Sequence, residues 1–411
     1  MSKYNIIKKL DVAIGTPFYI TYPDRYFQNI DSFTKAFTSR YDKFILAYSF
    51  KTNYTPPILT IARDYGCYAE VVSEMEYGMA ISLGYDKRNI VCNGPVKRRE
   101  WLRSAIENGS VINLDGEYEA DAVIAMIYDL PKPVKVGLRI NMEINTAAGA
   151  SAIQSGLKES RFGMSEEVLH RVIPRLKSAG VLINSLHGHT SSTNRAVENY
   201  QLIAERFLQI CNNYHLDDVE YLDFGGSYFG GAPKEISIVG KPTFDDYAEG
   251  ILNTLKADKW FEIHKPFIVI EPGTSVVTNT LELVTKVYQH KCIRGKHFVI
   301  VDGSIFQVKS QIGKINYPFE EVSNNEIQEP IQCDIVGSTC MEVDKISVDV
   351  QLSHYRHGDY LVYKSVGAYR NNMTPFFINA RPPIVTINEN GEWSLVRPRQ
   401  EVGEMIDLLK Y

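Results

Sequence analysis

The sequence predicts an α/β protein: a (β/α)8 TIM-like barrel joined to a C-terminal β-rich domain. Between about residue 40 and residue 272, short apolar, β-branched runs alternate with longer segments of helical periodicity. Beyond residue 275 strand-like runs continue, but the helical pattern stops. At 411 residues, 44% apolar and 23% charged, the chain is long enough for two domains with proper cores.

The barrel strands are read as FILAYS (44–49), YAEVVS (68–73), NIVCN (89–93), SVINL (110–114), KVGLRIN (135–141), LINSLHGH (182–189), VEYLDFG (219–225) and FIVIEPG (267–273), eight in all. Helical segments between them include TPPILTIARDYG, SEMEYGMAISLG, KRREWLRSAIENG, SEEVLHRVIPRLKSAG and RAVENYQLIAERFLQICNNY, several closed by a Gly suited to a left-handed cap. The runs VTKVYQHKCI, KHFVIVDGSI, IQCDIVGSTC, ISVDVQLS, DYLVYKSVG and PPIVTI make the second domain β-rich. TPFYITY (16–22) also reads as a strand, one that pairs with that domain. The expected division is therefore 24–275 for the barrel, and 1–23 with 276–411 for the β-rich domain.

A net charge of −5 provides no broad basic field, which argues against nucleic acid or an anionic membrane as partner and for a small-molecule substrate. After Lys8 and Lys9 the N-terminal stretch has no continuous apolar run, so neither a signal peptide nor a membrane span is expected, and the protein is placed in the cytoplasm. The six cysteines include no CxxC pair, so no zinc site, other metal centre or disulfide framework is expected.

Catalytic groups of such barrels gather at the C-terminal strand ends. The first strand runs into AYSFKTN, which puts the Lys51 amine at the mouth. The sixth ends in HGHTSST, with His187 and His189 on one face and hydroxyls suited to a phosphate beyond them. In LDFGGSYFGG, Gly225 and Gly226 permit close backbone approach and Ser227 follows. The eighth strand carries one carboxylate, Glu271, out of an otherwise apolar run, and a buried carboxylate needs a cationic partner.

These segments resemble the fold-type III pyridoxal-phosphate (PLP) decarboxylases, the family of diaminopimelate, ornithine and arginine decarboxylases, which share an alanine racemase-like two-domain architecture. Y-x-x-K-A-N is matched by YSFKTN, H-x-H-I-G-S by HGHTSS, L-D-x-G-G-G by LDFGGS and E-P-G-R by EPGT, while GLRIN (137–141) and SRFGM (160–164) resemble further family segments. In the β-rich domain GSTCMEVDK resembles G-P-x-C-[DE]-x-x-D, and VGAY resembles G-A-Y. The resemblance implies PLP as cofactor, with Lys51 as its Schiff-base lysine, His189 stacked on the ring and Glu271 keeping the pyridine nitrogen protonated. It implies phosphate contacts from Ser192, Gly225, Gly226, Ser227, Gly273, Thr274 and Tyr369, with Glu70 (an Asp in the family) and Arg139 lining the site. Cys340 is implied as the proton donor, reaching the neighbouring subunit's site in a head-to-tail homodimer, so that Lys51, Cys340 and His189 form the catalytic set.

The implied reaction is decarboxylation of an amino acid. A racemase sharing the barrel would set an arginine against the pyridine nitrogen, where this chain has Glu271, and a non-catalytic binding homologue would not need Lys51, His189, Glu271, Cys340 and Tyr369 together. Substrate-facing positions depart from the family. The arginine of E-P-G-R is Thr274, and VDGSIFQVKSQIGK lacks the arginine that diaminopimelate decarboxylases carry there. The acid after the reactive cysteine is Met341, with Glu342 one place on, and Lys314 stands near where ornithine decarboxylases carry an acid. Lys314, Met341, Glu342 and Tyr369 are the candidate substrate contacts. Together they point to a non-standard or acidic amino-acid derivative from a specialised pathway, with meso-diaminopimelate and carboxynorspermidine- or ornithine-type polyamine precursors as alternatives.

Overall fold

The computed structural model describes residues 2–142, 160–192, 194–230, 241–308, 316–373, 377–388, 390–408 and 410. It opens with a helix that the sequence reading does not anticipate, α1 (Lys3–Ile14). Ser2 caps it by accepting from the Asn5 N–H, and Ile7 and Leu10, one turn apart, are its buried residues. Strand β1 (Phe18–Thr21) follows, then α2 (Pro23–Thr38), which begins on Pro23, where a missing N–H costs nothing.

Eight parallel strands close a barrel in chain order: β2 (Phe44–Ser49), β3 (Tyr68–Val71), β4 (Ile90–Cys92), β5 (Val111–Leu114), β6 (Lys135–Ile140), β7 (Leu182–Thr190), β8 (Tyr221–Gly226) and β9 (Phe267–Glu271). These are the eight runs read from the sequence, and closure comes from β2 pairing with β9. The five named helical segments form helices Pro56–Tyr65, Glu74–Ser82, Arg99–Glu107, Glu166–Ser178 and Val197–Tyr214.

Strand periodicity sorts the side chains into two populations. One set, including Leu46, Tyr48, Ile90, Leu138, Phe224 and Ile270, packs outward with the helices in a large core. The alternate residues Ile45, Ala47, Val91, Val111 and Val269 form a small apolar plug inside the barrel. Two residues further along the same inward face come Ser49, Glu70, Asn93, Asn113, Arg139, His187, Asp223 and Glu271. The barrel is thus apolar at one level and polar at its C-terminal end.

The second sheet takes β10 (Leu281–Ile293), β11 (Lys296–Val301), β12 (Phe319–Val322), β13 (Ile331–Val336), β14 (Lys345–Leu352), β15 (Tyr360–Tyr363), β16 (Ile384–Ile387) and β17 (Trp393–Arg397). Its order is β14-β13-β11-β10-β1-β16-β17, with β15 also on β10 and β12 on β15. β1 runs antiparallel to β10 (Phe18↔Val284) and parallel to β16 (Tyr19↔Ile384), and α1 packs its Ile7 and Leu10 on the same sheet. Strands β12 and β17 and the helix Val402–Leu408 lie in segments given no assignment from sequence. Among the described residues no helix is long and apolar enough to cross a membrane.

Candidate active site

β2 ends in a tight turn, Phe50–Thr52, that carries Lys51 over the barrel mouth. The turn is braced from below by the Tyr48 hydroxyl donating to the Asn53 carbonyl (2.9 Å). From the second domain, the Gly367 carbonyl accepts from the Asn53 side chain (2.9 Å) and Asn372 donates to the Lys51 carbonyl (3.1 Å). The Tyr369 N–H donates to the Thr52 carbonyl (2.8 Å), and Tyr369 holds a left-handed φ of 61°, a strained state for a residue with a side chain. The second domain therefore clamps the lysine turn.

The Lys51 amine donates to Ser49 Oγ (2.7 Å) and pairs with Glu70 Oε2 (2.5 Å). Burial opposes its charge, but Glu70 and then Glu271 outweigh that and raise its pKa above the usual lysine value. Glu70 accepts further bonds from Ser49 and from the Asn93 amide (3.1 Å). Glu271 accepts from the same Asn93 amide (2.5 Å) and meets His187 Nε2 at 3.2 Å. Burial works against the Glu271 charge, yet His187 and Lys51 hold its carboxyl below the usual range. Burial and the Arg139, Lys51 and His187 charges push His189 well below the ordinary imidazole value, leaving its ring neutral.

Above this layer lies a cavity of about 390 Å³, within the range of small-molecule sites. Lys51, Glu70, Arg139, His189 and Glu271 line it, as do Gly226, Ser227, Gly273, Thr274 and Tyr369. Gly225 lies beneath, where a Cβ would stand 2.5 Å from Glu271 Oε2 and 2.9 Å from His187 Nε2. Gly226 has φ +136°, and a Cβ there would meet the Thr190 carbonyl at 2.3 Å. These glycines let the protein's own groups, Glu271 and His187 at one and the Thr190 carbonyl at the other, close against the backbone at the floor of the site.

One expected contact falls elsewhere. Ser192 does not line the cavity: its oxygen accepts from Asn199 Nδ2 (2.7 Å) and the Arg195 N–H (3.2 Å), tying the strand end to the next helix, and Ser191 lines the cavity instead. Cys340, Met341 and Glu342 are not brought to the cavity within one chain. They sit on the loop between β13 and β14, with Cys340 and Glu342 exposed. Asp344 holds that loop by accepting from Thr339 Oγ1 (2.6 Å) and the Ile305 N–H (2.7 Å). Lys314 lies outside the described residues. The sequence reading misses Asn93 and Arg161, which line the cavity, and Asn113 and Asp223 beneath it. Alternation was the available signal for Asn93, Asn113 and Asp223, since each stands two places beyond an inward strand residue.

This donor set fits PLP: a lysine amine at the mouth, a buried ionised carboxylate for a protonated ring nitrogen, and glycine and hydroxyl residues suited to a phosphate. Fold and site thus define a PLP enzyme of the barrel type. Residues 27–278, more than half of the chain, match the family model described as "Pyridoxal-dependent decarboxylase, pyridoxal binding domain", and the chain belongs to that family of PLP-dependent amino-acid decarboxylases. It is 26% identical over 407 residues to diaminopimelate decarboxylase of Aquifex aeolicus, covering 98% of this chain and 93% of that one. Identity to the Archaeoglobus fulgidus diaminopimelate decarboxylase is 27% over 399 residues (96% and 92%). The crystal structure of diaminopimelate decarboxylase from Helicobacter pylori complexed with L-lysine is similar, with a TM-score of 0.84, 25% identity and coverage of 98% and 99%. The arginine decarboxylase of Paramecium bursaria Chlorella virus shares the fold (TM-score 0.77, 20% identity, 94% and 100%).

Proposed function

We propose that the enzyme removes the α-carboxylate of an amino acid whose remote end carries a second carboxylate. The supporting observation is the balance of charge around the cavity. Arg139 and Arg161 both line it, their guanidinium carbons 4.6 and 4.2 Å from the Phe162 ring centroid. The lining acids are already engaged, Glu70 by Lys51 and Glu271 by Asn93 and His187. Arg139 is partly committed to Asp115 (3.3 Å), whereas Arg161 is exposed, with no acidic partner among the described residues. Diaminopimelate, which the relatives' names specify, belongs to this substrate class, as do acidic amino-acid conjugates.

Bound PLP supplies the sink for the electron pair that departing carbon dioxide leaves behind. In this reading Lys51 holds the cofactor through its amine, and Glu70, 2.5 Å away, takes the proton that the amine must lose. Glu271 would keep the ring nitrogen protonated, and His189, neutral beside it, would help hold the ring without competing for charge. Gly226, Ser227, Gly273, Thr274, Ser191 and Tyr369 hold the phosphate. Cys340, outward-facing on a braced loop, completes the site of a second copy of the chain and returns a proton to the substrate carbon.

The test is carbon dioxide release from meso-diaminopimelate, acidic conjugates, ornithine, lysine and arginine. A charge-assisted contact of about 1.5–3 kcal/mol predicts a roughly 10- to 150-fold advantage in kcat/KM for substrates with a remote carboxylate. Preference for ornithine or arginine overturns the reading. Lys51→Ala and Cys340→Ala should each be inactive, and mixing them should restore activity if the sites are shared. Failure of that mixture refutes the shared site.

A further inference from the structure

Beneath the cavity two buried carboxyl groups, Asp223 on β8 and Glu271 on β9, come within 4.8 Å of each other and of a His187 ring nitrogen. Around them stand Glu70 on β3, Lys51 after β2, Arg139 on β6 and His189 on β7. Two carboxylates so close in a dry site do not both ionise. Which one holds the proton is decided by the hydrogen bonds each receives.

The donors are aimed by a chain of side-chain amides. Ser185 Oγ donates to Asn113 Oδ1 (2.8 Å), so the Asn113 amino group faces Asn93 Oδ1 (2.9 Å) and Asp223 Oδ2 (2.9 Å). With its oxygen occupied, Asn93 turns its amino group to Glu70 Oε1 (3.1 Å) and Glu271 Oε1 (2.5 Å). Every amide hydrogen in this chain has one destination, and neither asparagine can flip without losing bonds. Gly137 makes room for it, since a Cβ there would lie 2.2 Å from Asn113 Oδ1. Glu271 thereby receives Asn93 and His187, one on each oxygen. Asp223 receives Asn113 alone, and its Oδ1 has no partner among the described residues.

We propose that Asp223 is a neutral carboxylic acid whose O–H donates toward Glu271, making it a positioning residue that fixes Glu271 as the anion facing the cofactor's ring nitrogen. The proton converts the orphan Oδ1 into a donor and removes the repulsion between the pair. Burial, reinforced by Glu271 and Glu70, raises the Asp223 pKa well above its ordinary value, in the same direction. The inference rests on Glu271 being the ring-nitrogen partner, but the location of the proton can be read independently of that.

Infrared spectroscopy of the PLP-loaded enzyme at a pH of about 9, above the range in which Glu76 holds a proton, should show the carbonyl band of a protonated carboxylic acid, shifted in deuterium oxide. Carbon-13 labelling of aspartate side-chain carboxyls should lower its frequency without any substitution, and Asp223→Asn should abolish it. Asp223→Asn keeps an N–H donor toward Glu271, whereas Asp223→Leu removes it. The pH midpoint of the bound cofactor's visible absorbance should therefore move further in the leucine variant. Absence of the band, its response to glutamate labelling instead, or equal midpoints in the two variants overturns the proposal. A band that vanishes in Asp223→Asn, beside an unaltered visible spectrum in Glu271→Gln, would place the fault in the ring-nitrogen assignment.

Discussion

Replacing Gly225 by alanine tests how tightly the floor of the site is built. The added Cβ would stand 2.5 Å from Glu271 Oε2, 2.9 Å from His187 Nε2 and 2.9 Å from His189 Cδ2. Ordinary contact begins at 3.4 Å, so the Glu271 carboxylate must retreat by about 0.9 Å. It cannot do so freely, because Asn93 and His187 hold its two oxygens. Gly225 is not among the residues of positive φ, so backbone strain does not enter. If Glu271 holds the cofactor as proposed, a displacement near 1 Å there costs on the order of 10²-fold in kcat, equivalent to about 2.7 kcal/mol. Overpacking should also remove roughly 1–3 kcal/mol of stability. The assay is kcat and KM by carbon dioxide release, with a PLP titration followed by visible absorbance and a thermal melt on the same preparation. A variant with kcat and PLP affinity within about threefold of the parent, against that expected 10²-fold loss, would refute the argument that Glu271 must stand where it does.

Gly78, exposed in the helix Glu74–Ser82, is the matching control: an added Cβ would meet nothing within 4 Å, and Gly78→Ala should add about 0.5–1 kcal/mol by urea denaturation. Burial raises the Glu76 carboxyl from 4.5 to about 7, although the Val72 N–H partly stabilises its charge. Folded Glu76 thus keeps a proton that the unfolded chain releases, and stability falls as pH rises from 4.5 to about 7. Glu76→Gln should therefore be neutral below that window and stabilising by up to ~3 kcal/mol above it, and a pH-independent effect would contradict the assignment. Burial raises the Cys67 and Cys333 thiols to about 12 and lifts Cys92 and Cys211 as well, so a thiol reagent followed by mass spectrometry should label the exposed Cys292 and Cys340 alone in the native protein. The fully buried pair Lys97–Glu119 (3.1 Å) ties the end of β4 to that of β5, and Lys97→Met should cost about 3–5 kcal/mol, with Glu119→Gln added costing less than the sum of the two single changes. Additive losses would show that the pair is not coupled.

The barrel was legible because each of its strands is apolar on the outward face and bounded by helical patterning, and period alone separates the two kinds of element. Lys51, His189 and Glu271 were legible for a related reason: they are polar residues where an apolar run ends, at the strand ends a barrel brings together. α1 was missed because its buried stripe is only Ile7 and Leu10, set among Lys3, Lys8 and Lys9, too narrow to register as a helical face. Strands β12 and β17 were missed because FEEV and WSLVR carry charge and pair at the margins of the sheet, where one side of the strand faces water.

What the sequence determined by itself is local and periodic: the strand and helix order, the inward or outward parity of each strand residue, and the chemical types at the strand ends. Tertiary structure alone decided which polar groups share a hydrogen bond. Asn93 and Glu271 are separated by 178 positions of chain, with Asn113 and Ser185 between them, and only barrel closure sets the four side by side. The same holds for the Tyr369 turn that braces Lys51 across two domains. It holds equally for Ser192, turned to its own helix while Ser191 faces the cavity. The physical reason is that periodicity records which side of an element is dry, whereas the direction of a hydrogen bond depends on partners that adjacent strands supply from distant sequence.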